Sequence, residues 1–233
     1  MTTGPARRPW PADTHPANLS PDYRSTAARA PLHAAVTIPA GAAERSVVDV
    51  APALVTPLDA DLTRQSTGAP LGERIVVSGR VLDEDGRPVR RSLVEIWQCN
   101  AAGRYAHAGD QHDAPLDPHF VGRGKLLTGD DGEYRFVTIK PGAYPWRNHP
   151  NAWRPAHIHF SLFGNLYAQR LITQMYFPGD PLLAFDPIYR SVPEGARERL
   201  VSHFDLGLTV PEIALGYRFD IVLRGHGATP TGL

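Results

Sequence analysis

Apolar and polar residues alternate along several short segments of this chain, which predicts β-strands. In the first segment Ile75, Val77 and Val81 occupy alternate positions, and the turn residues Asp83-Glu84-Asp85-Gly86 follow. Alternate residues of a strand point to the same face of a sheet. The same pattern predicts further strands over residues 92–97, 125–127, 134–138, 157–160, 171–177 and 217–223. About six to eight short strands separated by turns are typical of a β-sandwich, so we expect an all-β fold with a β-sandwich core.

Two further local signals refine this fold. Asp130-Asp131-Gly132 is a turn sequence typical of a β-hairpin between the strands on either side. One short helix is predicted over residues 191–204, because Ser191 and Glu194 have the spacing of a capping box and apolar residues recur after them at helical spacing. We expect this helix to cover one edge of the sheet.

Residues 1–72 form a separate region in which nine prolines fall before residue 60. Proline lacks a backbone N–H and restricts its own φ, so this density argues against long helices and central strands. We therefore expect an extended proline-rich N-terminal arm at 1–72, followed by a β-sandwich domain at 73–233. The apolar island at 32–39 favours an arm that packs on another surface, such as a partner chain.

Composition and charge narrow the function classes. The 233 residues include 24 basic and 24 acidic side chains, so the formal net charge is zero. Without a basic run, nucleic acid and anionic membranes are poor candidate partners. No apolar run approaches the length of a membrane span, and the first ten residues lack the apolar stretch of a signal peptide. The single cysteine, Cys99, has no internal disulfide partner, and together these features predict a cytoplasmic protein.

Two long irregular segments, 100–123 and 140–154, are rich in proline, glycine, histidine and aromatic residues. Long loops on a rigid β scaffold are where binding and catalytic sites are usually built. The second segment leads directly into a strand whose His157 and His159 project from one face and can reach the same ion. Two half-buried histidines bonded to the backbone are the alternative, because two ligands alone do not complete a metal site.

A series of motifs places this pattern in a family context. Residues 77–105 read Val-x-Gly-x-Val, then Gly86 and Val89, then Val94-Glu95-Ile96, and finally Gly103-Arg104-Tyr105. The series continues with Pro115-Leu116-Asp117-Pro118, Tyr144-Pro145-Trp146-Arg147-Asn148, Arg154-Pro155-Ala156-His157-Ile158-His159-Phe160, Leu171-Ile172-Thr173-Gln174 and residues 217–224. In content and order these motifs resemble those of the intradiol ring-cleavage dioxygenases, and the likeness covers most of residues 73–224.

This resemblance implies a non-haem Fe(III) centre whose four protein ligands are Tyr105, Tyr144, His157 and His159. The chemistry agrees, because a trivalent cation favours the phenolate strongly enough to deprotonate a bound tyrosine whose free pKa is about 10. Two phenolates and one hydroxide balance the charge of Fe(III), whereas two histidines and one carboxylate are typical of Fe(II) oxygenases.

The family likeness further implies an enzyme that uses O2 to cleave the ring of 3,4-dihydroxybenzoate, giving 3-carboxy-cis,cis-muconate. Tyr144 matches a ligand that leaves the metal and then accepts a substrate proton. Arg154 matches a group that offsets negative charge on the substrate, with Gln174 hydrogen-bonding nearby. Tyr23 and Trp146 resemble walls of the substrate pocket.

The stretch Pro21-Asp22-Tyr23-Arg24-Ser25 resembles the arm of family members that pair an iron-carrying chain with a homologous chain lacking the iron ligands. The likeness therefore implies a hetero-oligomer with a homologous alpha chain as partner. Trp97, by contrast, is expected in the apolar core. Two alternatives stay open: an intradiol dioxygenase for catechol or hydroxyquinol, and a non-catalytic transthyretin-like β-sandwich binding module, which needs neither the tyrosine pair nor the histidine pair.

Overall fold

The computed structural model describes residues 13–33, 52–146, 152–164 and 170–232. Within these ranges the chain forms eleven β-strands: β1 (Arg74–Leu82), β2 (Leu93–Trp97), β3 (Arg123–Leu127), β4 (Glu133–Ile139), β5 (Tyr144–Trp146), β6 (Ala152–Arg154), β7 (His157–Phe163), β8 (Arg170–Tyr176), β9 (His203–Phe204), β10 (Leu215–Arg218) and β11 (Ile221–Val222). The helices of the same ranges are short: α1 (Thr26–Arg29), α2 (Pro187–Ser191), and the 3₁₀ helices Pro52–Leu54, Pro57–Ala60, Pro181–Phe185 and Glu194–Leu200. The prediction of a mainly β protein is confirmed.

The strands form two sheets that enclose a common core. In the first sheet β1 is central, with antiparallel β4 on one side and parallel β10 and β11 on the other, and β9 extends beyond β10. The second sheet is antiparallel, in the order β3-β2-β7-β8. A separate two-stranded ladder pairs β5 with β6. This arrangement is the β-sandwich that the strand pattern predicts.

The core lies between the two sheets and takes alternate residues from both. In β7, Ile158 and Phe160 are fully buried and face this core, as predicted. The ring centre of Phe160 lies 5.9 Å from those of Tyr134 and Phe136 and 5.5 Å from that of Phe219. Burial of this side of β7 specifies the register of the strand, because a slip of one residue would turn its apolar side chains away from the core.

The turn at 130–132 joins the two sheets instead of closing a hairpin. Its local geometry is a tight reversal, in which the Gly129 N–H donates to the Glu133 carbonyl at 2.9 Å and Gly132 has a φ of +70°. However, β3 pairs with β2 and β4 pairs with β1, in different sheets. The predicted hairpin is therefore wrong. Turn residues determine where the chain reverses, whereas burial of each strand's apolar face determines which sheet it joins.

The segment 191–204 covers one edge of the second sheet, but not as the predicted continuous helix. α2 ends at Ser191, whose hydroxyl donates to a carbonyl within that helix at 2.7 Å, and a separate 3₁₀ helix begins after Pro193. The residue before a proline avoids helical dihedral angles, and Val192 is accordingly extended, with φ −75° and ψ 137°. The capping box predicted between Ser191 and Glu194 is therefore not formed.

The described parts of the N-terminal arm pack against this chain's own sandwich. Leu62 is fully buried in the core, and the side chains of Thr14 and His15 hydrogen-bond to the C-terminal segment at 3.1 and 3.2 Å. Packing of the arm on a partner chain and the division at residue 72 stay predictions, and most of the apolar island at 32–39 lies outside the described residues. No helix in the described ranges combines the length and apolar character that a membrane crossing requires.

Replacing Phe160 by alanine should strongly destabilise the fold. Its side chain is fully buried among three aromatic rings, and removing a buried phenylalanine typically costs about 3–5 kcal/mol. Phe185→Ala is the matched control, because that side chain is 69% exposed and its loss should cost less than about 1 kcal/mol. Chemical denaturation of both variants measures the difference. Equal stability of the two variants would contradict this description of the core.

Candidate metal centre

The candidate centre starts on β7, which keeps one side in the core and turns the other towards the site. His157 and His159 project from the side opposite Ile158, and their Nε2 atoms lie 3.2 Å apart. His157 Nδ1 lies 2.7 Å from the carbonyl oxygen of Pro155. A carbonyl only accepts hydrogen bonds, so Nδ1 carries the proton and Nε2 presents its lone pair to the site.

Two tyrosines bring their hydroxyl oxygens to the same point. Tyr144 Oη lies 3.3 Å from His157 Nε2, and Tyr105 Oη lies 3.2 Å from His159 Nε2. Tyr144 begins β5, so the segment 140–154 that was predicted as irregular contains the β5-β6 ladder. Tyr105 belongs to the connection between β2 and β3. The structure thus brings together all four side chains that the sequence predicts as ligands.

The spacing of these four donor atoms fits a single cation. Metal–imidazole bonds are about 2.0–2.1 Å long, so two donors that share one ion at an angle of roughly 100° lie about 3.2 Å apart. The three consecutive donor separations here are 3.2–3.3 Å. The centre contains only two histidines of the usual metal-binding types, and no group of three or more His, Cys, Asp or Glu side chains placed to bind a metal occurs among the described residues. The candidate centre therefore depends on its two tyrosines.

Burial sets the protonation of the four donors in the absence of a cation. It lowers the pKa of His157 well below its ordinary value and, together with the nearby Arg154 charge, lowers the pKa of His159 to about 3. Both imidazoles are therefore neutral near pH 7 and can donate lone pairs. Burial also raises the pKa of Tyr105 well above its ordinary value and raises the pKa of Tyr144, which the Arg154 charge partly offsets. A bound polyvalent cation reverses this effect and favours both phenolates.

A close approach between two loops fixes the backbone near Tyr105. Gly103 has a φ of +80° and lies so near Ala143 that a Cβ atom would meet that residue's carbonyl oxygen at 2.3 Å. Glycine is the residue that tolerates both conditions. The Asp110 carboxylate then accepts a hydrogen bond from the Tyr105 backbone N–H at 2.8 Å. Together these contacts tie the loop of one tyrosine to the loop of the other.

Arg154 lies directly opposite Tyr144 in the β5-β6 ladder. Its buried guanidinium forms an ion pair with the fully buried Asp186, in which Nε lies 2.9 Å from Oδ1 and Nη2 lies 3.0 Å from Oδ2. Nη2 also donates to Gln174 Oε1 and to the Tyr176 hydroxyl, the latter at 3.0 Å. Burial alone would lower the pKa of Arg154, but Tyr176 and Asp186 outweigh it and hold that pKa above its ordinary value. The guanidinium therefore stays charged beside the four donors.

Trp146 and Tyr23, the predicted pocket walls, lie next to this arginine. Their rings meet edge to face with centres 4.9 Å apart, and the guanidinium carbon of Arg154 lies 5.5 Å from the Trp146 ring centre. A cavity of about 350 Å³ is lined by Trp146, both donor tyrosines and loop residues 109–113. That volume is within the range of small-ligand sites. Since Tyr23 comes from the N-terminal arm, the arm contributes directly to the surroundings of the site.

The structure corrects one placement and adds residues that the sequence analysis missed. Trp97, predicted in the core, is half-buried and stacks on the imidazole of His159, with ring centres 4.8 Å apart and planes inclined by 2°. Asp186 and Tyr176 complete the buried hydrogen-bond network around the arginine. The available signal for Asp186 was its position before a proline, an N-cap followed by Pro at the first helical position. Residues 147–148 of the β5 motif lie outside the described ranges.

Comparison with known proteins shows the family of this chain. A model of the dioxygenase family matches residues 50–225, and a model of the protocatechuate 3,4-dioxygenase beta subunit N-terminal region matches residues 6–40. The protocatechuate 3,4-dioxygenase beta chain of Burkholderia cepacia is 60% identical over 229 residues, 96% of this chain and 95% of the relative. The protocatechuate 3,4-dioxygenase alpha chain of the same species is 30% identical over 161 residues, 68% of this chain and 76% of the relative.

A solved structure gives the same result for the fold. The hydroxyquinol 1,2-dioxygenase of Pseudomonas putida DLL-E4 aligns with a TM-score of 0.52 at 26% identity, covering 70% of this chain and 58% of that chain. The family likeness that the motifs indicate is confirmed, while the roles of individual site residues stay predictions. The chain belongs to the intradiol dioxygenase family, whose members generally use non-haem Fe(III).

Proposed function

We propose that this chain binds a non-haem Fe(III) ion and supplies the active site of a protocatechuate 3,4-dioxygenase. The reaction inserts both atoms of O2 into 3,4-dihydroxybenzoate and cleaves the bond between its hydroxylated carbons, giving 3-carboxy-cis,cis-muconate. The observation that carries the proposal is the buried set of four donor atoms, two phenolic and two imidazole, separated by 3.2–3.3 Å. The 60% identity to a beta chain of this name, along almost the whole chain, supports the same substrate.

Tyr105, Tyr144, His157 and His159 would hold the ion. Two phenolates and two neutral imidazoles suit a hard trivalent cation, and the phenolate charges oppose its reduction. A bound Fe(III) ion would supply the Lewis acidity that makes the catechol ring reactive towards O2. Proton removal, charge compensation and orientation of the substrate are the tasks of the side chains around it.

Tyr144 is suited to act as ligand and base in turn. It lies on a two-stranded ladder outside the two main sheets, so moving its side chain leaves the core intact. The Arg154 charge opposite it favours its phenolate form. As a phenolate, Tyr144 would accept the proton of a substrate hydroxyl held within hydrogen-bonding reach of its oxygen. The proposal therefore assigns Tyr144 a catalytic role in addition to metal binding.

Arg154 and Gln174 supply fixed charge and hydrogen bonding beside the ligands. Gln174 lies opposite His159 in the β7-β8 ladder and accepts a hydrogen bond from Arg154. A buried guanidinium stabilises negative charge that develops on the ring more strongly than water would, because the guanidinium is screened little and is already oriented. Trp146 lines the cavity, and Tyr23 packs edge to face against it; the proposal assigns both residues to the wall that holds the ring of the substrate.

A homologous alpha chain is part of the same proposal. It is supported by the similarity to both a beta and an alpha chain of one enzyme, and by the contribution of the arm residue Tyr23 to the site. The cytoplasmic location is also retained as a proposal, supported by the free, buried Cys99. A non-catalytic β-sandwich module is no longer a competing explanation, because the chain belongs to a dioxygenase family.

Iron-loaded protein should show a visible tyrosinate-to-Fe(III) charge-transfer band that shifts when protocatechuate is added without oxygen. Admitting O2 should then restore the resting band as the substrate is consumed. Absorption spectroscopy with iron quantification makes both measurements. If the band does not shift with protocatechuate but shifts with catechol or hydroxyquinol, the substrate is one of these two catechols instead. A protein that stays colourless and metal-free after iron supplementation would contradict the proposal that it binds iron.

Replacing Tyr105 by phenylalanine should weaken iron retention at least about tenfold, since even partners outside the ligand set contribute that much. The charge-transfer band should also lose intensity, because one phenolate is removed. Tyr217→Phe is the matched control: its ring is buried in the core beside Phe177, and the variant should keep its iron. Dialysis against a chelator compares the two variants. Equal iron retention would contradict the role of Tyr105 as a ligand.

Co-expression with the alpha chain from the same source should yield a complex that elutes well above the 25.5 kDa of the single chain. Its cleavage of protocatechuate per iron should exceed that of this chain alone, because the partner completes the surroundings of the site. Size-exclusion chromatography and oxygen uptake measure the two quantities. A monomeric chain with full activity would contradict the proposed partner and leave the iron proposal standing.

A further inference from the structure

Asp186 is a fully buried carboxylate at the start of α2, on no element that carries a predicted ligand. Its Oδ1 lies 2.9 Å from Arg154 Nε and accepts a hydrogen bond from the Ile188 N–H at 3.2 Å. Its Oδ2 accepts hydrogen bonds from Arg154 Nη2 at 3.0 Å and from the Tyr176 hydroxyl at 2.9 Å. A carboxylate without water needs such partners, and here most of them belong to the network around the arginine.

The ion pair restricts the orientation of the Arg154 guanidinium. Asp186 lies along one edge of this planar group: Nη2 donates a hydrogen bond to Oδ2, and Nε lies 2.9 Å from Oδ1 as an ion-pair contact without a hydrogen bond. Two contacts along one edge restrict the plane of the group as well as its position. Gln174 and Tyr176 also bind Nη2. Among the described residues none accepts a hydrogen bond from Nη1, the nitrogen on the opposite edge. These contacts therefore leave one donor group of the arginine without an acceptor among the described residues.

We propose that Asp186 is a positioning residue for ring cleavage. It holds the guanidinium plane so that Nη1 and the positive charge face the substrate beside Tyr144, and it acts on the reaction only through Arg154. This inference rests on the function proposed above. The Tyr176 hydroxyl supports the same geometry, because it donates its proton to Asp186 Oδ2 at 2.9 Å and accepts a hydrogen bond from Arg154 Nη2 at 3.0 Å.

Asparagine at this position separates the ion pair from the helix cap. Asp186→Asn keeps the size of the side chain and a good N-cap residue for α2, but removes the charge and one of the two acceptors that hold Arg154. In the holoenzyme, co-expressed with its partner chain, kcat per iron should fall about ten- to a hundredfold. The resting charge-transfer band and its anaerobic shift with protocatechuate should remain, because the four ligands are unchanged.

Asp205→Asn is the matched control. Asp205 also accepts backbone hydrogen bonds, from Gly207 and Leu208, and pairs with an arginine, Arg218, at 3.0 Å, but in the exposed β9-β10 region. Its replacement should leave kcat within about twofold of wild type. Wild-type kcat per iron in Asp186→Asn would overturn the inference while leaving the proposed function intact. If the wild-type holoenzyme does not cleave protocatechuate, that result would instead contradict the proposed function.

A double-mutant cycle tests whether Asp186 acts through Arg154. Arg154→Gln should lower kcat at least as much as Asp186→Asn, and adding the second change should lower it by no more than about a further threefold. If the double variant loses kcat by the product of the two single-variant losses, the two residues act independently and the positioning role is overturned. If Asp186→Asn fails to fold, Tyr176→Phe replaces it, because it keeps the ion pair and removes the hydroxyl that donates to the carboxylate and accepts from Arg154 Nη2. That variant should lose about two- to tenfold in kcat with an unchanged resting band, and wild-type kcat would overturn the inference.

Discussion

The two-residue repeat of strand β7 is the constraint on which the candidate centre depends. One side of the strand places Ile158 and Phe160 in the aromatic core, and the other places His157 and His159 with their Nε2 atoms 3.2 Å apart. A slip of one residue would exchange the two sides, burying imidazoles among apolar rings and removing them from the tyrosines. The same register therefore stabilises the sandwich and maintains the geometry of the centre.

Burial then gives the centre its chemical character. Burial lowers the pKa of each histidine and raises the pKa of each donor tyrosine, so all four donors are uncharged near pH 7 in the absence of a cation. Two desolvated phenolates need the compensation of a nearby positive charge. The environment of the four donors is therefore consistent with the non-haem Fe(III) that members of the family generally use.

Burial has a corresponding consequence for Arg154, which carries a positive charge. A buried guanidinium needs a buried counter-charge, and Asp186 provides it from the start of α2, with Tyr176 and Gln174 of β8 completing the network. Three elements that are separate along the chain, β6, β8 and α2, are therefore joined by one set of polar contacts. Because unpaired charges in such a place are costly, the network holds the arginine in one orientation next to the ladder that carries Tyr144.

The sequence by itself determined which residues of each strand share a face, because this alternation depends only on local backbone geometry, and the order of its motifs indicated which tyrosines accompany His157 and His159. Tertiary structure decided the rest. The turn at 130–132 reverses the chain as its residues require, yet it crosses between sheets. Trp97 stacks on a histidine outside the core, and Asp186 meets Arg154. Strand pairing and burial depend on contacts between residues far apart in the chain, which no local pattern encodes.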